Sequence, residues 1–244
     1  MLRSIVALGL LLSLATPIAA QPTVPVTTCG QAIPAETIGI LAADLDCSAY
    51  AGGDYGVVVG KRGTLDRAGF TLTGGYTGVG CVGPCPDGNG LCFLQCSIRN
   101  GTIEGADYSG VSGDKVTIEN VTIRNIEGRG IAGGRRVKVF ASIINDNGVA
   151  GVIGRALYVE ASTITGNGRA GVNTANGRVR VKDSTIIGND TSPECTPPTS
   201  GPCFDIGSSR RPRVANTTCG KSYNPSGVQL GDCNGWCVCA GDQP

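Results

Sequence analysis

Histidine is absent from all 244 residues. Ser-His-Asp and Cys-His devices both need an imidazole base, so neither can operate here. Zinc loses its commonest nitrogen ligand for the same reason. There is no basic run, only the doublets Arg135-Arg136 and Arg210-Arg211, and the formal net charge is +1. Nucleic acid is therefore not an expected partner. Calcium-binding nonapeptides of the G-G-x-G-x-D type do not occur. No segment beyond the first twenty residues is apolar enough to span a bilayer. Cysteine is missing between Cys96 and Cys195, although the chain has 12.

What fills that cysteine-free stretch is a repeat of about 20 residues. Ile98, Ile118, Val139, Val159 and Val181 recur at gaps of 20, 21, 20 and 22. Ile103, Ile123, Ile144, Ile164 and Ile186 keep step, as do Val111, Ile131, Val152 and Val172, each after a glycine (Gly110, Gly130, Gly151 and Gly171). Runs such as Val116-Thr117-Ile118 and Val179-Arg180-Val181 are β-branched and short, which excludes a helix. Three apolar columns per repeat predict three short strands per coil. Because no coil can bury its own face, the stack supplies the core. The glycines beside the third column are expected to turn corners with φ > 0.

The expected fold is all-β: a parallel β-helix, or solenoid, of roughly eight coils. At about 4.8 Å per rung it makes a rod on the order of 40 Å long. Residues 1–20 read as a secretory signal peptide: Arg3, an apolar run from Ile5 to Ala15, then small residues ending at Ala20. Its removal takes the net charge from +1 to 0. Residues 21–39 read as an N-terminal lead, 40–218 as the coils and 219–244 as a Cys-rich C-terminal cap. The protein is expected to be secreted or periplasmic, without a membrane span, and monomeric.

The cysteines fit an oxidising compartment. Cys29 and Cys47 lie near the start; Cys81, Cys85, Cys92 and Cys96 share one loop; Cys195 and Cys203 share a second; and Cys219, Cys233, Cys237 and Cys239 lie in the tail. The expected pairs are Cys29 with Cys47, Cys195 with Cys203, and a nested set in the first loop.

Leu65-Asp66-Arg67-Ala68-Gly69-Phe70-Thr71-Leu72-Thr73-Gly74, behind the strand-like Val57-Val58-Val59, resembles the "LDLNGHTITG" coil of the pectate-lyase-like superfamily of right-handed parallel β-helix repeat proteins. The later coils resemble its Asn-x-x-Ile-x-x-Asn repeats. Thr218-Cys219-Gly220-Lys221-Ser222 resembles a tail of secreted members. The likeness runs from about Ile40 to Cys239. It implies right-handedness and a polysaccharide-handling ancestry. One departure is that the motif's usual His is Phe70. The "GHG" segment of the superfamily's hydrolases also has no counterpart. The chemistry left is that of a lyase: Lys or Arg removes a proton beside a carboxylate, and Ca²⁺ held by Asp/Glu neutralises the substrate. Ca²⁺ is thus expected only if the protein is a lyase, and no residue is assigned a catalytic role.

Strand side chains alternate, so Ser97, Thr117, Lys138, Tyr158 and Arg180 point outward, one per rung, as do Arg99, Glu119, Phe140, Glu160 and Lys182. Lys138, Phe140, Tyr158, Glu160, Arg180 and Lys182 are the candidate ligand face: rings to stack on pyranoses, cations to meet carboxylates. The expected function is recognition of an extracellular, acidic polysaccharide. The rival is a structural or adhesive rod, in which Arg99 with Glu119 and Glu160 with Lys182 are only cross-strand ion pairs. Asn147, Asn167 and Asn189 share one column and are expected to form a stacked amide ladder. N-x-Thr sequons occur at Asn100, Asn120, Asn189 and Asn216.

Overall fold

The computed structural model describes residues 20–51, 53–88, 90–174, 177–189, 191, 204–208, 212–223 and 229–232. Among them there is no helix; every element is a strand. A 23-stranded sheet dominates, with a separate two-stranded hairpin, Val82–Pro84 against Leu91–Phe93.

The pairing is parallel almost throughout and falls into three ladders. In the first, Leu65 opposes Ile98, then Ile118, Val139, Val159, Val181 and Val214 follow in register. In the second, Leu45, Leu72, Ile103, Ile123, Ile144, Ile164, Ile186 and Cys219 align. The third aligns Val57, Val79, Val111, Ile131, Val152, Val172 and Ile206. The chain visits them in rotation: Ala156–Glu160 in the first, Thr163–Thr165 in the second, Ala170–Thr174 in the third, then Arg178–Lys182 back in the first. Each apolar column is buried, with Ile98, Ile118, Val139 and Val159 fully inaccessible. The columns share one cluster, to which every rung contributes β-branched or Leu side chains.

Pairing begins earlier than the expected start of the coils. Thr23–Val26 pairs with Ile38–Leu41, and Gln31–Ile33 with Tyr55–Val59. Residues 21–39 thus carry strands of the first and third ladders.

The glycines beside the third column act through space, not through φ. Gly110, Gly130, Gly151 and Gly171 are not among the residues with positive φ. A Cβ on Gly110 would lie 2.7 Å from the Gly130 carbonyl oxygen, and one on Gly151 2.6 Å from that of Gly171. Side chains there would push adjacent rungs apart. The left-handed corners instead fall on Asn100, Asn120, Ala141, Ala161, Asp183 and Asn216, with φ between 45° and 56°.

Buried polar side chains run between rungs as well. Asn147 Nδ2 donates to Asn167 Oδ1 at 2.8 Å, Asn167 Nδ2 to Asn189 Oδ1 at 2.6 Å, and Asn189 Nδ2 to Asp205 Oδ1 at 2.7 Å. The expected ladder exists and ends on a carboxylate. Asn189 is fully buried in it, so its sequon is closed to modification in the folded state. A second row, Ser142, Ser162 and Ser184, accepts backbone N–H groups from Val121, Ser142 and Ser162 at 3.1–3.2 Å.

Disulfides join Cys29 to Cys47, Cys81 to Cys96 and Cys85 to Cys92, the last two nested as expected. Cys219 is also disulfide-bonded. The expected Cys195–Cys203 pair, the tail cysteines Cys233, Cys237 and Cys239, and residues 1–19 of the expected signal peptide lie outside the described residues.

Candidate binding face

The candidate residues come from three consecutive strands of the first ladder, whose inward Val137, Val139, Leu157, Val159, Val179 and Val181 anchor them in the core. With period-2 alternation the intervening positions must face out. Lys138 opposes Tyr158, Tyr158 opposes Arg180, and Phe140, Glu160 and Lys182 align beside them. All six therefore stand on one patch.

They divide into an engaged group and a free one. The rings of Phe140 and Tyr158 meet at 5.5 Å with a tilt of 52°. Tyr158 Oη donates to Glu160 Oε2 at 2.7 Å, and Lys182 Nζ reaches Glu160 Oε1 at 3.0 Å and Asp183 Oδ2 at 3.2 Å. Asn216 Nδ2 then donates to Asp183 Oδ1 at 3.0 Å. Donation by the Tyr158 hydroxyl, helped by Lys182, holds the Glu160 carboxyl below its ordinary range. Donating into that carboxylate raises the Tyr158 hydroxyl in turn. The bond to Glu160, then that to Asp183, pushes the Lys182 ammonium up. Lys138 and Arg180 belong to no such cluster.

Alternation also brings in cations that the sequence reading passed over. Arg136 and Arg178 lie two positions before Lys138 and Arg180, on the same face, and Arg213 opposes Arg180 on the next rung. The alternating pattern that picked out Lys138 and Arg180 also marks Arg136 and Arg178. Arg180 and Arg213 carry like charges on paired strands, whose backbones run about 4.8 Å apart, an arrangement that costs stability unless an anion intervenes. Both are exposed. Glu160 and Asp183, on the strands beside them, are bonded to Tyr158, Lys182 and Asn216.

One expected ion pair is replaced. Arg99 Nε binds Asp66 Oδ2 at 2.8 Å, on the rung before it, rather than Glu119 on the rung after. Asp66 is partly desolvated, which raises its pKa. Hydrogen bonds from the Ala68 N–H, Asn100 and Arg99 outweigh that and set the net shift downward. Asn120 Nδ2 donates to Asn100 Oδ1, and Asn100 Nδ2 to Asp66 Oδ1, both at 3.0 Å. Asp66 is thus a hub fed from two rungs, and it outcompetes Glu119.

Inside the same corner, Arg67 is fully buried. Its NH2 donates to Gly101 O at 2.9 Å, while Nε and NH1 have no partner. Burial pulls its pKa down to about 9, so the guanidinium still carries its charge at neutral pH.

Among the described residues no group of three or more His, Cys, Asp or Glu side chains stands together as a metal centre would require. No helix among them is long and apolar enough to cross a membrane. No family model matches the chain, and neither a curated protein nor a solved structure does.

Proposed function

We propose that this chain is a secreted, right-handed parallel β-helix that recognises an extracellular acidic polysaccharide along the outward face of its first ladder. The β-helix reading is supported by the rotation of the chain through three parallel ladders. Its hand and its pectate-lyase-like kinship rest on the Leu65–Gly74 motif, and its export on the apolar leader and the disulfides.

The observation that carries the function is the Arg180–Arg213 pair, opposed on adjacent strands with no ion pair to either among the described residues and flanked in the same column by Tyr158 and Lys138. A chain of sugar carboxylates supplies the missing counter-charge. The tilted Phe140 and Tyr158 rings offer apolar surface for the pyranose faces. Glu160, held by Tyr158 and Lys182, orients that ring and that ammonium.

Calorimetric titration with polygalacturonate and alginate tests this. Affinity should fall as salt rises, since exposed charges are screened over about 10 Å at 0.1 M. Arg180→Ala and Arg213→Ala should weaken binding, while Thr117→Ala, at the other end of the column, should have little effect. If Arg180→Ala and Thr117→Ala behave alike toward both polymers, the face is only solvated. The Tyr158–Glu160–Lys182–Asp183 network would then serve a structural or adhesive rod. Following unsaturated products with and without Ca²⁺ in the same samples tests whether recognition leads on to β-elimination.

A further inference from the structure

A second, differently built feature lies at the leading edge of the third ladder. Backbone hydrogen bonds set its members in succession: Thr77 N to Asp54 O at 2.8 Å, Tyr108 N to Tyr76 O at 2.8 Å, and Arg129 N to Tyr108 O at 3.0 Å. The Tyr76 and Tyr108 rings are parallel to within 3°, with centroids 5.1 Å apart, yet remain 50% and 43% exposed. The Arg129 guanidinium lies 5.3 Å from the Tyr108 centroid, and its NH1 donates to Tyr108 Oη at 3.0 Å. One end of the stack is closed by this cation.

At the other end no ring or cation stacks on Tyr76 among the described residues. Tyr108 takes one face of Tyr76, so the opposite face looks toward the preceding rung. That rung brings Gly53, without a side chain, and Asp54, which is exposed. Among the described residues the Asp54 carboxylate has no hydrogen bond or ion pair, and the Tyr76 hydroxyl has none either. Stacking on Tyr108 holds the Tyr76 ring in place, so little side-chain entropy is lost when a ligand covers it. A flat ring face beside an unengaged carboxylate suits a ligand with C–H groups on one side and hydroxyls at its rim. The carboxylate accepts from adjacent hydroxyls in charge-assisted hydrogen bonds. The geometry points to a binding site for an uncharged pyranose on the outer face of Tyr76, with Asp54 as hydroxyl acceptor and Tyr108 and Arg129 as its rigid backing.

This site is independent of the acidic-glycan face, and its salt dependence separates the two. Full-length oxidised protein is titrated with cellotetraose, xylotetraose, mannotetraose and laminaritetraose, and with tetramethylammonium as a cationic probe. At least one tetrasaccharide should bind, with an affinity unchanged by salt because no ligand charge is screened. Tyr76→Ala should weaken it by roughly tenfold, the scale of one lost aromatic contact. Tyr76→Phe should retain it, and Asp54→Ala should fall between. Arg180→Ala should leave it unchanged. Failure of all four tetrasaccharides to bind would overturn the site, as would wild-type affinity in Tyr76→Ala or binding of tetramethylammonium alone. Retained affinity in Tyr76→Phe guards against a folding defect at that position.

Discussion

Between Cys29 and Cys96 three disulfides brace the chain around its loops and the antiparallel hairpin of Val82–Pro84 with Leu91–Phe93. From Ser97 to Asn189 there is no cysteine, and buried amides and hydroxyls run from rung to rung instead. The first region has irregular segments that cannot repeat, so covalent links limit their unfolded freedom; a 15-residue closure such as Cys81–Cys96 contributes about 3 kcal/mol in the chain-entropy account. The second region repeats every 20–22 residues, so a single polar side chain per rung satisfies its neighbour and is satisfied in turn. Periodicity does for Asn147, Asn167 and Asn189 what cystine does for the hairpin.

The sharpest way to break the periodic region is through its core. Ile118 is fully buried between Ile98 and Val139. Ile118→Asp places an unpaired carboxylate in that apolar column and should cost at least about 4–5 kcal/mol, abolishing folding. A variant that melts like wild type would show the register to be wrong. Next comes the amide ladder. Asn167→Leu removes the donors to Ile144 O and Asn189 Oδ1 and the acceptor for Asn147. Several buried groups lose partners at about 1–3 kcal/mol each, so urea unfolding should show a loss of at least 3 kcal/mol. A loss below about 1 kcal/mol would mean that the ladder is ornament to the apolar stack.

How much of this was legible depended on whether the determinant was periodic. The three apolar columns, the Asn147–Asn167–Asn189 ladder and the nested cysteines were readable because each depends on spacing alone. The ladder's end on Asp205 was hidden, because residues 190–203 interrupt the repeat and shift the next side chain out of step. Arg99 has acids on both neighbouring rungs, and only the corner geometry that feeds Asp66 from Ala68 and Asn100 decides between them. Gly110 and its counterparts were visible, but their reason was not: adjacent carbonyl oxygens press on the missing Cβ. On the candidate face, sequence placed Lys138, Tyr158 and Arg180 in one column and paired Glu160 with Lys182 across the rungs, as the structure has it. It could not tell that the Tyr158 hydroxyl also donates to Glu160.

Where the two regions meet, a defect separates them. Arg67 puts a charged group in the corner where the resembled motif carries Leu, with Nε and NH1 unpartnered. Arg67→Leu should stabilise the protein by about 2 kcal/mol at pH 7, as replacement of an incompletely hydrogen-bonded buried charge by apolar volume commonly does. The pH dependence has a definite sign. The folded pKa, near 9, lies below the unfolded one, so the unfolded chain holds the proton more tightly. The full cost stands below pH 9, and the advantage of Arg67→Leu should shrink as pH rises beyond it. A constant gap would separate the penalty from the guanidinium's charge. A smaller gain is expected at Ala141, which sits at φ 45° in the corner column of Asn100 and Asn120. Ala141→Asn should raise stability by about 1 kcal/mol in thermal unfolding, because Asn tolerates that conformation far better. A decrease would mean that Ala141 is there for packing.

The smallest effect belongs to the exposed face, and its direction matters more than its size. If Arg180 served the fold, Arg180→Ala would lower the melting temperature, as loss of Lys182 from its bonds to Glu160 and Asp183 should. Arg180 instead opposes Arg213 on the next rung, without a carboxylate to share. Removing it relieves a like-charge contact and trims only solvent-facing atoms. Arg180→Ala should therefore be neutral to slightly stabilising, within about 0.5 kcal/mol, with any gain larger at low salt than at high salt. Lys182→Ala should move the other way. Two neighbouring cations, one facing Tyr158 and one beside Glu160, would then respond with opposite sign. A clear loss of stability in Arg180→Ala would make Arg180 part of the scaffold, and the patch would lose the charge on which the proposed ligand recognition rests.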